Sequence, residues 1–318
     1  VTVSPACFRN VRILTGPTGS GKSAFAARLA QRWNAEIVAM DSMTLYRYMD
    51  IGTAKPSLEE RAQTPHHLID VLEPWETANV AWWLEKAAAA VSDIEGRGRI
   101  ALFVGGTPLY LKALLCGLFA GPARSPEIRA RLEAIAVHDG VETLHRQLVA
   151  VDPTTGARLH PNDVRRVVRA LEVFELTGRP ISHWQTEWSD EASKHTPLAW
   201  WLDWPRSVLN TRLDDRVEKM IAAGWIDEAT RLLALGRPLS REAKQALGYV
   251  EIIEHLRGER SLPETIALIQ LRTRQFAKRQ VTWFKQLPQC IRVPMQNEGE
   301  LSLDVFDAAV STHRTNNL

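Results

Sequence analysis

Residues 16–23 read Gly16-Pro17-Thr18-Gly19-Ser20-Gly21-Lys22-Ser23, a complete G-x-x-x-x-G-K-[ST] run whose residue types suit the holding of linked phosphates. Gly16, Gly19 and Gly21 let the backbone curl so that successive N–H groups converge on one anion, and a helix starting directly afterwards adds the positive end of its dipole. Lys22 supplies a mobile point charge, and the Ser23 hydroxyl can ligand Mg²⁺. The apolar run 11–14 before the loop and Ala24-Phe25-Ala26-Ala27 after it read as the strand and helix that this geometry requires. A diphosphate or triphosphate ligand is expected. The loop does not report what the phosphates are attached to.

Other chemistry is carried by Asp41 at the end of a second apolar run and by Thr107 after Gly105-Gly106. In phosphate-loop proteins an acidic residue placed like Asp41 can ligand Mg²⁺, hold a kinase acceptor hydroxyl or take a proton as general base. Arg212 and Arg216, four apart and so on one helical face, could reach a diphosphate, or could pair with Asp215 or Glu218. Arg165, Arg166 and Arg169 form a cluster that also has Glu172 and Glu175 at hand. Residues 265–297 hold Arg272, Arg274, Lys278, Arg279, Lys285 and Arg292 with no Asp or Glu, interleaved with Phe276, Trp283 and Phe284. Such a stripe suits a polyanion, although a basic solvated helix face would look the same. His66-His67 with Asp70 lacks the spacing of a zinc site and is read as packing or positioning. Trp82-Trp83 and Trp200-Trp201 lie in apolar segments and are read as core.

The elements that must position these groups alternate. Strands are predicted over 11–14, 35–40 and 99–104, with a helix over 22–33. Alternation of this kind implies a parallel sheet, beyond whose carboxyl ends ligands collect; the phosphate loop, Asp41-Ser42 and Thr107 all occupy such ends. From 125 to 186 the pattern is purely helical. Residues 186–196 read as a polar loop, 198–202 as a strand returning to the sheet, and 207–223, 226–235 and 265–287 as helices. The fold class is therefore α/β: a P-loop NTPase-like parallel sheet core flanked by helices (1–120 and 200–318), with a helical insertion domain over 121–199.

With 318 residues, 45% hydrophobic and 24% charged, the composition is that of an ordinary globular enzyme, and a formal charge of +2 does not by itself argue for a polyanionic partner. Cys7, Cys116 and Cys290 lack C-x-x-C spacing and are expected as reduced thiols. No membrane span or signal peptide is read, so a cytoplasmic protein is expected; the absence of an initiator Met is read as trimming.

The blocks Gly16–Ser23, Asp41-Ser-Met-Thr-Leu-Tyr-Arg-Tyr-Met-Asp-Ile-Gly-Thr-Ala-Lys-Pro56, His66-His-Leu-Ile-Asp70, Gly105-Gly-Thr-Pro-Leu-Tyr110, Pro161-Asn-Asp-Val-Arg-Arg-Val-Val-Arg-Ala-Leu-Glu-Val173, Ala246-Leu-Gly-Tyr249 and Thr273-Arg-Gln-Phe-Ala-Lys-Arg-Gln-Val-Thr-Trp-Phe284 resemble, in this order, the motif set of the tRNA dimethylallyltransferases. Gly19, Ser23, Thr44-Leu45 and Pro108 depart from the usual Ala, Thr, Gln-Val and Gly. The resemblance implies transfer of a dimethylallyl group from its diphosphate to the exocyclic amine of the adenosine 3′ of a tRNA anticodon, with Mg²⁺ as cofactor and tRNA and dimethylallyl diphosphate as partners. Asp41 becomes the expected general base, Thr107 its neighbour, and Lys22 the stabiliser of the leaving diphosphate, which residues 16–23, Arg212 and Arg216 would hold. Contacts to tRNA are implied at Asp41, Ser42, Met43, Thr44, Thr107, Arg129, Arg165, Arg166, Val167, Val168, Arg169, Arg274, Lys278, Arg279, Gln280, Trp283 and Lys285. A monomer is expected, and the absence of a C-terminal Cys/His finger resembles the bacterial members more than the eukaryotic ones.

Two other classes stay open at this level. A small-molecule kinase would need the same loop and strand-end Asp41, but not a long basic segment. A nucleotide-governed RNA-binding switch would hydrolyse a triphosphate and leave RNA covalently unchanged.

Overall fold

The computed structural model describes residues 3–117, 121–186, 197–296 and 303–307. They divide into two compact units, one an α/β unit on either side of the other in sequence, the other helical from residue 116 onward. In the α/β unit the chain runs β1 (Arg12–Thr15), α1 (Lys22–Trp33), β2 (Ala35–Ala39), α2 (Leu58–Gln63), β3 (His66–His67), α3 (Val80–Gly96), β4 (Ile100–Gly105) and α4 (Pro108–Cys116). The helical unit holds α5 (Pro126–His138), α6 (Val141–Val151), α7 (Pro153–Arg158), α8 (Val164–Thr177) and α9 (Ile181–Thr186). The α/β unit resumes with β5 (Leu198–Asp203), α10 (Arg206–Ala222), α11 (Trp225–Ala234), α12 (Tyr249–Leu256), α13 (Leu262–Phe284) and β6 (Cys290–Pro294).

Among the described residues the strands form one parallel sheet in the order β3-β2-β4-β1-β5-β6. β1, β2, β4 and β5 are almost continuously buried, as strands covered by helices on both faces must be. Leu14, Phe25, Leu29, Ile37, Leu102, Trp200 and Leu202 join sheet and helices in one core. Trp83, Trp200 and Trp201 are buried, as their apolar setting predicts, whereas Trp82 is half-exposed. Central β1 is flanked by β4 and β5, and β4 by β2, so the carboxyl ends of β1, β2 and β4 open side by side onto the phosphate loop, Asp41 and Thr107.

β3 and β6 were not predicted. β3 has two residues, too few for periodicity to register, and β6 ends at Pro294 with Ile291 and Arg292 exposed, so it reads in sequence as the tail of the basic segment. The predicted polar loop lies almost wholly outside the described residues. The helical unit has its own core of Leu132, Leu144, Leu148, Val167, Val168, Leu171 and Ile181.

Candidate active site: a phosphate loop facing a strand-end carboxylate

The loop takes the shape its glycines permit. Gly19 and Gly21 have φ of 75° and 79°, where a Cβ would be strained. Gly21 caps α1 in the left-handed conformation, without a side-chain hydrogen bond to the first turn and with no acidic residue in it. By contrast, Ser57 caps α2 and Asp163 caps α8 through their side chains. The first amides of α1 are thus left for an anion, with the helix dipole behind them.

A cavity of about 670 Å³ in the α/β unit is lined by Thr18, Gly19, Gly21, Lys22 and Ser23, by Asp41, Ser42, Met43 and Thr44, and by Thr107 and Arg216. Ala27, Ile37, Ile69, Met220, Leu247 and Phe276 add apolar wall. Gly16, Pro17 and Ser20 of the loop are buried behind this lining. Burial pushes the Lys22 ammonium down to about 8; Asp41 opposes that shift and Arg216 reinforces it. Arg216 is likewise disfavoured as a cation by burial, favoured by Asp41 and disfavoured by Arg212. The pocket therefore crowds positive charge that a bound anion would relieve. Arg212 does not line the cavity: its Nε donates to the Gly19 carbonyl at 2.9 Å and its guanidinium lies 4.6 Å from the Trp204 ring centre. Its place is behind the loop, bracing it.

Asp41 is held by its own turn. Its Oδ1 accepts the Met43 N–H at 2.9 Å, and the Thr44 hydroxyl donates to the Asp41 carbonyl at 3.2 Å. Thr107 Oγ1 accepts the Ser42 N–H at 3.1 Å, which ties the end of β4 to the end of β2 and leaves the Thr107 O–H free to donate. Pro108 occupies the first turn of α4, where its missing N–H costs nothing.

The segment after Asp41 is fixed by Lys55, Asp70 and Tyr249, which lie in the motif blocks, and by Glu228, which carries no recognisable signal in sequence. The buried Glu228 carboxylate accepts the N–H groups of Asp50 and Ile51 at 2.9 and 2.8 Å, that of Gly52 at 3.2 Å, and the Tyr249 hydroxyl at 2.6 Å. Lys55, its side chain 1% exposed, binds Asp70 at 2.6 Å, Asp50 at 2.8 Å and the Tyr46 carbonyl. Burial would raise the Asp70 carboxyl, but Lys55 and Arg61 hold it below the usual range. His67 Nε2 lies 2.6 Å from Glu36, and His66 Nδ1 the same distance from the Thr64 carbonyl, which are positioning contacts. No cluster of three or more metal-ligating side chains occurs among the described residues.

The residues expected to touch RNA fare unevenly. Val167 and Val168 are 0% and 1% exposed in the core of the helical unit, so an RNA contact by either side chain is corrected. Arg129 and Arg169 close on Glu172 at 2.8 and 2.6 Å and are held internally. Arg165 and Arg166 are exposed, Arg166 within 3.3 Å of Asp163. In the α/β unit the basic segment is not free of acids once folded: Arg272 meets Glu251, Arg274 meets Asp214, and Arg292 meets Asp203. Arg274, still partly exposed, ties α13 to α10. Lys278, Arg279 and Lys285 are exposed and have no carboxylate partner among the described residues; Trp283 is half-buried. Gln280 is buried, with both ends of its amide bonded to backbone, and is corrected from an RNA contact to an internal strut.

Residues 44–287 match the family model of IPP transferase, and residues 9–71 that of isopentenyl transferase. The tRNA dimethylallyltransferase of Geobacter metallireducens is 47% identical over 94% of this chain and 95% of its own, and that of Syntrophobacter fumaroxidans 45% over 88% and 82%. Among solved structures, the tRNA isopentenylpyrophosphate transferase of Bacillus halodurans superposes with a TM-score of 0.69 at 35% identity, covering 97% of this chain and 96% of its own. A eukaryotic dimethylallyltransferase acting on tRNA gives 0.78 at 28% identity, over 96% and 79%.

Proposed function

The chain belongs to the IPP transferase family, and from that premise we propose that it transfers a dimethylallyl group from dimethylallyl diphosphate to N6 of the adenosine 3′-adjacent to a tRNA anticodon, releasing diphosphate. The observation that carries this reading is one cavity bounded by a phosphate-binding loop, half-buried cations, a strand-end carboxylate and apolar wall. An allylic diphosphate needs all four. The C1–O bond breaks as negative charge gathers on the departing diphosphate, which the loop amides, Lys22 and Arg216 stabilise most when that charge is greatest. The adenine N6 lone pair forms the new bond to C1, and its proton passes to Asp41. Asp41 Oδ2 suits that step, because Oδ1 is occupied by the Met43 N–H. Thr107 can donate its O–H toward the reacting groups.

Mg²⁺ fits the residues present. The Ser23 hydroxyl is exposed at the cavity and has no hydrogen-bond partner among the described residues. A cation that takes most of its ligands from phosphate and water needs little more. When bound there it would neutralise charge on the diphosphate oxygens.

Extracting a stacked adenine costs a few kcal/mol, which phosphate contacts elsewhere must offset. Lys278, Arg279 and Lys285 on α13, and Arg165 and Arg166 on α8, are the exposed cations suited to this. We read the protein as cytoplasmic, in keeping with a tRNA substrate, and as a monomer. The names of its relatives support neither a small-molecule kinase nor a nucleotide switch.

The test is to mix the protein, Mg²⁺, dimethylallyl diphosphate and unmodified tRNA, and to weigh the nucleosides. Dimethylallyl-adenosine in proportion to diphosphate released is expected. Unmodified tRNA together with phosphate transfer from ATP would overturn the reading.

A further inference from the structure

Gln280 is where α13 meets both loops of the cavity. Its Oε1 accepts the Thr18 N–H at 2.9 Å, and its Nε2 donates to the Gly106 carbonyl at 2.6 Å. The two bonds fix which way the amide faces, since a flipped amide would set N–H against N–H and oxygen against oxygen. The side chain is 3% exposed. There is no slack around it: a Cβ at Gly106 would lie 2.6 Å from Gln280 Nε2 and 2.9 Å from the Gly16 carbonyl oxygen. Phosphate loop, Gly106 and Gln280 are therefore in mutual contact. Gly106 directly precedes Thr107, which holds the Ser42 N–H beside Asp41.

We propose that Gln280 is a positioning residue that sets the separation between the phosphate loop and the Gly106-Thr107 turn, and so between donor carbon and acceptor amine. It rests on the function proposed above for what those loops carry. Gln280 belongs to the same turn of α13 as Lys278 and Arg279, but those two are exposed while it points inward. One amide thus joins a helix with an exposed basic face to the loop that holds the leaving group. Each hydrogen bond is modest by itself. Their weight lies in register, because a displacement of about 1 Å between reacting groups costs on the order of 10²-fold in rate.

The test uses Gln280→Met, which keeps length and removes both bonds, and Gly106→Ala, which leaves Gln280 in place and crowds it. For each, with a cooperative melt verified, the expected result is unchanged tRNA affinity, a KM for dimethylallyl diphosphate raised about tenfold and a kcat lowered on the order of 10²-fold. The double variant is expected to be no worse than the weaker single, because both break one link. Wild-type donor KM and kcat with weakened tRNA binding would overturn the proposal and make Gln280 an RNA contact. Independent, additive losses would overturn it as well. Binding of inorganic pyrophosphate, measured by calorimetry, separates this inference from the proposed reaction: about tenfold weaker binding to Gln280→Met supports the strut whether or not prenyl transfer is found, and unchanged binding refutes it.

Discussion

Two groups of cations, one in each unit, look alike in sequence and are used differently. In the helical unit Arg129 and Arg169 converge on Glu172, which is 0% exposed and also accepts the Ser125 N–H at 2.8 Å. Burial would raise this carboxyl, but hydrogen bonds from Arg129, Arg169 and Ser125 bring it down to about 2. In the α/β unit Lys22 and Arg216 share a cavity with Asp41, and burial takes Lys22 down to about 8, with Asp41 opposing the shift and Arg216 adding to it. The first cluster is internally satisfied and serves the fold. The second has more positive charge than its one carboxylate answers, and under the proposed function that excess is for an anionic ligand. A cation's function depends on which acids the fold brings to it, and that cannot be counted along a segment.

The comparison is broken most severely at Lys22. Lys22→Ala is expected to lower turnover by about 10²- to 10³-fold while leaving tRNA affinity intact; wild-type turnover at saturating donor would remove Lys22 from the site. The pH dependence has a definite sign. The ammonium is charged below about 8 and neutral above it, so pyrophosphate affinity of the free wild-type protein should fall as pH rises through that value, and the fall should vanish in Lys22→Ala.

The opposite pole is Glu172. Glu172→Ala strands two guanidiniums and an amide, and is expected to destabilise the protein by about 3 kcal/mol, the low end for a broken buried pair because both arginines keep some exposure. Urea unfolding measures it. The wild-type carboxyl lies at about 2 when folded against an ordinary 4.5, so its contribution is complete above 4.5 and is lost as pH falls toward 2. A variant as stable as wild type at neutral pH would show that the cluster is not structural.

The smallest effect concerns exposed cations of α13 that lie outside the cavity lining and have no carboxylate partner among the described residues. Replacing Lys278 and Lys285 with Gln should weaken tRNA binding and flatten its salt dependence by about one to two log units per log unit of salt, with donor binding unchanged. An unaltered slope would make them a solvated helix face.

The comparison also shows what was legible in the sequence. β1, α1, β2 and β4 were readable because local pattern and loop chemistry agree there, and the position of Asp41 and Thr107 at strand ends followed from the alternation. What could not be read is pairing across long separations. Gln280 reaches Thr18 and Gly106, Glu228 reaches 50–52, and Asp214 takes Arg274, each through contacts that only the closed sheet creates. The same limit explains Val167 and Val168: they sit among arginines in sequence, but a helix of period 3.6 turns them inward.

In the proposed reaction one cavity both releases a diphosphate and removes a proton, with Asp41 as the base. Asp41→Asn fills the same space and keeps an oxygen for the Met43 N–H, yet has little basicity. Single-turnover prenyl transfer by this variant, with tRNA and dimethylallyl diphosphate affinities measured alongside, should show both substrates bound at wild-type strength and a chemical step slowed by about 10²- to 10⁴-fold. Loss of Mg²⁺-dependent donor binding with an unslowed chemical step would contradict the claim and make Asp41 a metal ligand.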